Sequence, residues 1–537
     1  MTMPWRLASR EQGFSQWFWP KGLLFSSLFV LAIPVAMWGA FWLRAPWNLL
    51  FVGAIVAALW FLPRGSGNSV LESDTRRELW MTALWAFMPL ALMCVVSGIG
   101  GIGTQSEDWL KHNAVLADLV RSDWPVHYRY NSTPVHLTYY TAFYLPAAFM
   151  GKLGGWGVAL AVHQLGSLIV LGLVAAWLSW IMGKRARWVG VLFAAFGGVD
   201  YFAAKIVALA HGQPFELAPF SLEWWEKPIP WWGYYSHVTE LFWVPHAALA
   251  GWLGTVLLLR VVSPLTARSG GLDASWSDVS FDVVTCALLP LWNPWAWLGY
   301  LPLLGVRLVQ QIRSRRRILI WPWVCLIGLW AMQFGYLMSR ISLPAGISGG
   351  VGYHPTFTAF EFMRQYGSGV YIETWLGFTF VEFGFYALLC LLLWKTAKAP
   401  SPLRPFLVVS ALALGLLPLF HYGLYNDLLR SAVAPLAVVC LSCATVLHMP
   451  RTRRTSPFKA VLALALCFGA LHSAQYAINV MHDVKLSITS HSGLLHQPVL
   501  SKMPTVYALF AHDPHPQLIT QYMGRDDSTW ARWFLKR

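Results

Sequence analysis

The chain has 537 residues, of which 57% are hydrophobic and 12% are charged, and its mean hydropathy is +0.50. This composition excludes a soluble globular protein of similar size and indicates a protein that is embedded in a lipid bilayer. The net charge of +15 does not indicate a nucleic-acid partner, because the basic residues lie in short clusters between apolar runs, as in loops that face the cytoplasm.

The apolar runs predict an all-α, polytopic membrane protein with about 13 transmembrane helices, amphipathic helices in the outer loops and a small extracytoplasmic tail at the C-terminus. All seven cysteines lie within apolar runs, which favours small buried residues over disulfide or zinc frameworks. The predicted spans are residues 23–43, 47–62, 80–102, 156–182, 188–209, 241–259, 283–292, 297–309, 318–338, 375–393, 405–420, 436–448 and 461–474.

The charge of the loops gives the orientation. Every second loop is basic, so the N-terminus is predicted to be cytoplasmic and the C-terminus extracytoplasmic. The same alternation requires residues 139–150 to be an interfacial or partly re-entrant helix and not a span. Residues 283–309 are predicted to form a short hairpin or a broken helix around Pro290 and Asn293, buried against protein or a water-filled cavity.

The sequence divides into a transmembrane domain, residues 1–475, and a small extracytoplasmic tail, residues 476–537. The tail is too short for a substantial core of its own and is predicted to be a cap with a terminal helix at residues 528–536. Polar residues are concentrated in the predicted outer loops, which are residues 103–155, 210–240, 339–374 and 421–430.

The first outer loop contains a predicted amphipathic helix at residues 106–121. Glu107 and Asp108 begin this helix, and His112 shares a face with Asp108 because the two residues are four apart. A carboxylate at this place can hold a divalent ion or accept a proton from a substrate hydroxyl. The alternative interpretation is that the two acidic residues only cap the positive end of the helix.

Asp200 lies in the outer half of an otherwise apolar predicted span. An ionisable residue at this depth is costly and marks a functional candidate. The alternative is a buried pair with Lys205, five residues further along the chain.

The second outer loop combines aromatic residues with acidic residues and histidines. Trp231 is a candidate for stacking on a sugar ring, whereas His237 and Glu240 lie at the mouth of the next helix and His246 ends this stretch. The aromatic belt found at any membrane interface explains the tryptophans equally well.

Three arginines near the predicted outer interface are candidate anion ligands. Arg340 and Arg364 flank a glycine-rich outer loop, and Arg430 lies at the mouth of a later helix. An arginine can bind a phosphate through two parallel hydrogen bonds. Arg430 has an alternative role, since Asp427 precedes it by three residues and can pair with it.

An acidic residue that begins an outer helix after an early span, a second acidic residue near the next outer loop and an extracytoplasmic tail together resemble the GT-C superfamily of membrane glycosyltransferases, which use polyprenyl-phosphate-linked sugars. The resemblance covers the topology of most of the chain, with Glu107, Asp108 and Asp200 as its specific points. It implies that Asp108 is the catalytic or metal-holding carboxylate and that Asp200 or Glu240 is its partner.

Residues 108–113, 242–246 and 426–430 also look like stretches of large bacterial membrane proteins labelled glycosyltransferase-like, which implies the bacterial inner membrane. The chain departs from better-studied members because two spans precede the Asp108 loop where one is usual. Its tail is also far smaller than the soluble domain of the oligosaccharyl transferases, so transfer to protein asparagine is not expected.

These observations favour a glycosyltransferase that moves a sugar from a polyprenyl-phosphate donor to a glycan or lipid acceptor at the extracytoplasmic face. The expected partners are these two substrates and the membrane lipids, with no nucleic acid. A divalent cation, Mg²⁺ or Mn²⁺, is left open, since no compact acidic cluster is visible. The alternatives are a transporter or flippase for a lipid-linked or anionic substrate, and a noncatalytic scaffold in envelope-polymer assembly.

Overall fold

The protein is described here by a computed structural model, and most of the residues that it describes are helical. The described residues are 18–62, 73–103, 107–130, 132–183, 186–199, 232–264, 278–314, 318–341, 356–399, 401–422, 426–489, 500–510 and 516–536. Two small antiparallel sheets accompany the helices.

The described helices follow the apolar runs and the outer loops of the sequence. In chain order they are α1 (Leu23–Trp42), α2 (Trp47–Trp60), α3 (Ser73–Val96), α4 (Glu107–Arg121), α5 (Leu145–Gly154), α6 (Trp156–Met182), α7 (Val189–Ala195), α8 (His237–Trp243), α9 (Pro245–Leu259), α10 (Val279–Leu288), α11 (Pro294–Arg313), α12 (Trp321–Met338), α13 (Ala359–Tyr366), α14 (Ser368–Thr379), α15 (Phe385–Thr396), α16 (Arg404–Leu416), α17 (Val433–His448), α18 (Ser456–Thr489), α19 (Val506–Phe510) and α20 (Thr529–Phe534).

Seven helical segments of the described chain are long and apolar enough to cross a membrane, which supports a multi-pass membrane protein. They are Trp19–Trp42, Ser73–Val96, Trp156–Met182, Pro245–Val262, Ser368–Thr396, Asp427–His448 and Ser456–Gln475. The expected number of about 13 spans is not confirmed. Trp47–Trp60, Val279–Leu288 and Arg404–Leu419 are apolar helices of only 10–17 residues. Of the predicted span at 188–209, the structure describes residues 188–199, which contain the short helix α7.

The two weak segments of the sequence are short helices. Of the segment at residues 139–150, the part from Leu145 onward belongs to α5, which has 10 residues and packs against α4 and α6. Helix α5 is not among the helices long enough to cross a membrane, and its interfacial placement stays a prediction. The segment at residues 283–309 forms α10, with 10 residues, and α11, with 20 residues. The break between them falls at Leu289–Asn293, where the sequence predicts it.

Three helices begin close together because small residues let their backbones approach. A Cβ atom on Gly299 of α11 would lie 2.0 Å from the carbonyl oxygen of Ser431, just before α17. A Cβ atom on Gly251 of α9 would lie 2.2 Å from a methyl carbon of Val433. The N-terminal ends of α9, α11 and α17 are therefore held side by side, and their first residues face one common region.

The C-terminal tail is joined to the first outer loop by a three-stranded antiparallel sheet. Strands β1 (His127–Tyr130) and β2 (Thr133–Leu137) form a hairpin, and β5 (Met523–Arg525) pairs with β2. Gly524 passes directly over His136, since a Cβ atom there would lie 2.5 Å from its Nε2 atom. The second sheet pairs β3 (Thr356–Phe357) with β4 (Phe420–His421).

The tail is a small cap that depends on the rest of the chain. Helix α18 continues to Thr489, so the expected boundary at residues 475 and 476 lies inside a helix. The terminal helix α20 forms where the sequence predicts it, with Ser528 as its N-cap. Leu535 bridges to Leu43 beyond the end of α1. We call the end of the helix bundle that carries these contacts the capped end.

Candidate functional site

A group of polar and aromatic side chains meets at the capped end, where α4, α9, α11 and α17 begin. We call this group the polar cluster. Its members are Asp108, Lys111, His112, Tyr139, Tyr140, Tyr144, His246, Asn293, Arg340, Asp427, Arg430 and Tyr522. They come from the first, third and fourth predicted outer loops, from the starts of α9 and α11 and from the tail, so three of the four predicted outer loops meet here.

Asp108 is the most accessible carboxylate of the polar cluster. Its side chain is 26% exposed, and Oδ2 lies 2.8 Å from Nζ of Lys111. Burial alone would raise the pKa of Asp108, but the positive charges of Lys111 and Arg430 outweigh burial and lower the pKa overall. The carboxylate is therefore ionised at neutral pH and is able to accept a proton.

His112 is buried and neutral. Its Nε2 atom lies 3.0 Å from the carbonyl oxygen of Trp243, which can only accept, so Nε2 carries the proton. Its Nδ1 atom then accepts from the hydroxyl of Tyr144, at 2.5 Å. Burial, aided by the positive charge of Lys111, lowers the pKa of His112 to about 3. His112 therefore acts as an acceptor that orients Tyr144.

His246 is oriented from the opposite side by Asn293. Asn293 is the N-cap of α11, and its Oδ1 atom accepts from the backbone N–H of Ala296 at 2.8 Å. Its amide nitrogen therefore faces Nδ1 of His246, at 3.3 Å, and donates to it. This leaves the proton of His246 on Nε2, which lies 3.2 Å from the hydroxyl of Tyr139. His112 and His246 are neighbours, with ring centroids 5.3 Å apart.

Arg430 and Asp427 form an ion pair at the start of α17, as the alternative interpretation of Arg430 expected. Nη2 of Arg430 lies 3.2 Å from Oδ1 of Asp427, and the two side chains are 16% and 8% exposed. Nε2 of Gln521, from the tail, donates to Oδ2 of Asp427 at 3.4 Å. The charge of Arg430 also acts on Asp108, so the pair with Asp427 does not isolate this arginine from the polar cluster.

Arg340 carries a positive charge that no described carboxylate pairs with. Nη1 of Arg340 donates to the hydroxyl of Tyr422 at 3.4 Å, whereas its Nε atom is buried and has no hydrogen-bond partner among the described residues. Its backbone bridges to Gly524 of the tail. Tyr140 lies within electrostatic range of both Arg340 and Arg430: burial raises the pKa of its hydroxyl, and the two arginines oppose this shift. Such a donor needs an acceptor, and an anion is the acceptor that an arginine binds most strongly.

Tyrosines form one wall of the polar cluster. The ring centroids of Tyr139 and Tyr140 are 3.8 Å apart, and those of Tyr139 and Tyr522 are 4.7 Å apart and stacked. On its other face Tyr522 stacks on Phe510, with centroids 4.6 Å apart. Because Tyr522 belongs to the tail, the cap supplies part of the wall.

The other predicted site residues lie elsewhere. His237 donates to the carbonyl oxygen of Phe193 at 2.6 Å, and Glu240 accepts from the indole of Trp252 at 3.1 Å, so both side chains contribute to the packing among α7, α8 and α9. Arg364 is exposed in the last turn of α13, and no described contact joins it to the polar cluster. Asp200, Trp231 and the side chain of Glu107 lie outside the described residues.

Several members of the polar cluster were not predicted from the sequence. Tyr139, Tyr140 and Tyr144 belong to a segment whose apolar character predicts an interfacial helix, although three tyrosines within six residues are a signal for a polar surface. For Asn293 the sequence predicts only a break between helices. Tyr522 has no local sequence signal, since its role depends on how the tail folds back.

A second constellation lies beside the polar cluster and has the order of a catalytic triad. Nε2 of His136 lies 3.2 Å from the hydroxyl of Ser339, and Nδ1 lies 2.8 Å from Asp526. The hydroxyl of Ser339, however, donates to the carbonyl oxygen of Tyr336 at 2.7 Å, and Gly524 covers the imidazole. A nucleophile needs a free hydroxyl and access to substrate. We therefore infer that His136, Ser339 and Asp526 hold the C-terminal tail in place.

The polar cluster does not offer a metal site of the usual kind. Within the described ranges no group of three or more His, Cys, Asp or Glu side chains is placed to hold a metal ion. Asp108 and Asp427 are each paired with a cation instead. Comparisons of the chain with protein-family models, with curated proteins and with solved structures give no match.

Proposed function

We propose that this protein is a membrane-embedded glycosyltransferase that takes a sugar from a polyprenyl-phosphate donor and passes it to a hydroxyl of a glycan or lipid acceptor, at the polar cluster and on the extracytoplasmic side. The observation that carries the proposal is the guanidinium of Arg340, which keeps a buried donor without a partner among the described residues and lies within electrostatic range of Tyr140 in the tyrosine wall.

The charges of the polar cluster fit an anionic donor. Three cations, Lys111, Arg340 and Arg430, accompany two carboxylates, Asp108 and Asp427. The hydrogen bonds of His112 and His246 indicate that both rings are neutral. The net charge of the polar cluster is therefore positive. Hydrogen bonds from arginine to phosphate are among the strongest in proteins, and they strengthen as charge develops on the leaving oxygen.

Asp108 is the proposed general base. The acceptor hydroxyl oxygen attacks the anomeric carbon, the bond from this carbon to the phosphate oxygen breaks, and its electron pair stays on the phosphate. The hydroxyl proton passes to the carboxylate of Asp108, which is ionised and partly exposed. Attack from the side opposite the phosphate inverts the anomeric centre.

The tyrosine wall is the proposed sugar contact. Tyr140 lies between the two arginines and His246, with its ring centroid 4.7 Å from that of His246. A sugar that is attached to a phosphate bound by the arginines would therefore lie against tyrosine rings, whose faces pack on sugar C–H groups. Trp231 remains a predicted acceptor contact.

The test is a transfer assay with purified protein and a panel of polyprenyl-phosphate sugars. We expect one donor to be consumed and its sugar to appear on an acceptor. Arg340→Gln should reduce kcat/KM for the donor roughly tenfold to a hundredfold, because a charge-assisted contact is lost. Arg364→Gln is the matched control, since this exposed arginine is not joined to the polar cluster, and it should keep the activity of the wild type.

Three results would contradict the proposal or one of its parts. Consumption of no donor by the wild-type protein would remove the transferase activity. Movement of an intact donor across proteoliposomes, without cleavage of the sugar–phosphate bond, would identify a flippase in its place. Equal effects of Arg340→Gln and Arg364→Gln would remove the phosphate role of Arg340.

A further inference from the structure

A cavity lies at the end of the helix bundle opposite the polar cluster. It has a volume of about 510 Å³ and lies where α6, α9 and α17 end and where the chain turns from α15 into α16. Since α9 begins at the polar cluster and ends at this cavity, a rise of 1.5 Å per residue separates the two by roughly 24 Å. Its lining is mostly apolar, with Ile181, Met182, Val261, Val262, Leu403 and Met449 as examples.

Two of the residues that line this cavity each carry a buried polar atom. The indole nitrogen of Trp394 and the hydroxyl oxygen of Ser401 are both buried, and the described part of the chain gives neither a hydrogen-bond partner. The side chain of Trp394 is 97% buried, as its residue exposure is 3%. An indole N–H can only donate. A ligand in this cavity that offers hydrogen-bond acceptors as well as apolar surface would satisfy both groups.

Two of the loops around this cavity are basic and contain no acidic residue. Residues 394–404 include Lys395, Lys398 and Arg404, and residues 445–459 include four further cations but neither Asp nor Glu. Arg404 and Arg451 are exposed beside the lining residues Leu403 and Pro450. The ligand should therefore carry negative charge at the mouth of the cavity.

We propose that this cavity binds an anionic phospholipid. Its acyl chain lies against the apolar lining, its ester oxygens accept from Trp394 and Ser401, and its phosphate lies among Arg404 and Arg451. Basic pockets between membrane helices bind lipid headgroups in this manner. The lipid holds the ends of α6, α9, α15 and α17 together, and this site is separate from the polar cluster and independent of the proposed transfer reaction.

The test is a binding titration of delipidated protein in neutral detergent, read by native mass spectrometry. The probes are dioleoyl phosphatidylglycerol, which is anionic, dioleoyl phosphatidylcholine, which is neutral overall, and glycerol 3-phosphate, which has no chain. We expect phosphatidylglycerol to bind roughly tenfold more tightly than phosphatidylcholine, and glycerol 3-phosphate not to bind. Trp394→Phe and Arg451→Gln should each weaken phosphatidylglycerol about fivefold or more.

Ala399→Trp fills the cavity from its rim and should abolish this binding, while Arg313→Gln, a basic residue outside the lining, should leave it unchanged. Equal affinity for the two lipids, wild-type affinity in Trp394→Phe and Ala399→Trp, or equal affinity for glycerol 3-phosphate would each overturn the proposal. A variant that does not fold is recognised because it shows no thermal unfolding transition. Comparison of the three probes on the wild-type protein still tests the proposal if a variant does not fold.

Discussion

Nδ1 of His136 lies 2.8 Å from Oδ1 of Asp526, so the first outer loop is fastened to the tail across 390 positions of sequence. Oδ2 of the same carboxylate lies 3.2 Å from Nδ1 of His127. Burial lowers the pKa of His136. Burial alone would raise the pKa of Asp526, but its hydrogen bonds to the two histidines lower it overall.

Both shifts predict that the tail is held less firmly at acidic pH. A histidine whose folded pKa is lowered stays neutral in the folded state, so stability is lost as pH falls below its unfolded value of about 6.5. A carboxylate with a lowered pKa contributes stability that is lost as pH falls through its folded pKa. We expect residues 516–536 to exchange amide hydrogens faster at pH 5 than at pH 7.5, after correction for the intrinsic rate.

Asp526→Asn should give the same fast exchange at pH 7.5, because it removes the charge that both histidines contact. Asp527→Asn is the matched control, since Asp527 pairs only with the exposed Arg525 in the described structure. If the two variants exchange alike, or if pH does not change the exchange of the tail, the fastening role of Asp526 is wrong.

Asp108→Asn should reduce kcat for sugar transfer by about 10²- to 10⁴-fold, since an amide cannot accept the hydroxyl proton. Asp123→Asn, an exposed acidic residue of the same loop, should leave kcat unchanged. Because the pKa of Asp108 is lowered, we also expect no acidic loss of kcat from this group until pH falls below about 4. Full activity in a folded Asp108→Asn protein would exclude it as the base.

Asn293→Asp tests the orientation of His246. Aspartate still caps α11, but it cannot donate to Nδ1 of His246, so the imidazole must turn its proton toward the carboxylate. The contact from Nε2 to Tyr139 is then reversed. We expect transfer activity to fall about tenfold with little change in the melting temperature. Asn293→Ser keeps a cap without reversing the proton, so an equal loss in both variants would show that the proton position of His246 is not the cause.

Much of the capped end could be predicted from local sequence. The amphipathic pattern predicts α4, and the alternation of basic loops predicts which loops meet, since residues near Asp108, Arg340 and Arg430 do converge. These signals need only neighbouring residues and charge counts. The membrane character of the chain follows from the same apolar runs.

The rest of the site depends on contacts that local patterns do not contain. Asn293 orients His246 from 47 positions away, and Tyr139 is stacked on Tyr522 of the tail. His237 and Glu240 lie at a helix mouth, as the sequence suggests, but the rotation of α8 turns them toward Phe193 and Trp252. A helix boundary can be predicted from sequence, whereas the direction of a side chain requires its packing partners.

The strongest stability effect is expected at Asp282, in α10. Its Oδ2 atom lies 3.0 Å from Nε of Arg307, its Oδ1 atom pairs with Arg260, and all three side chains are at least 95% buried. Asp282→Asn removes the carboxylate that both buried arginines contact in the described structure, which should cost about 3 to 5 kcal/mol. Glu78→Gln breaks the exposed pair with Arg187, at 3.7 Å, and should cost less than about 1 kcal/mol. Thermal unfolding in detergent separates the two, and equal melting temperatures would show that the buried group is already compensated by its other hydrogen bonds.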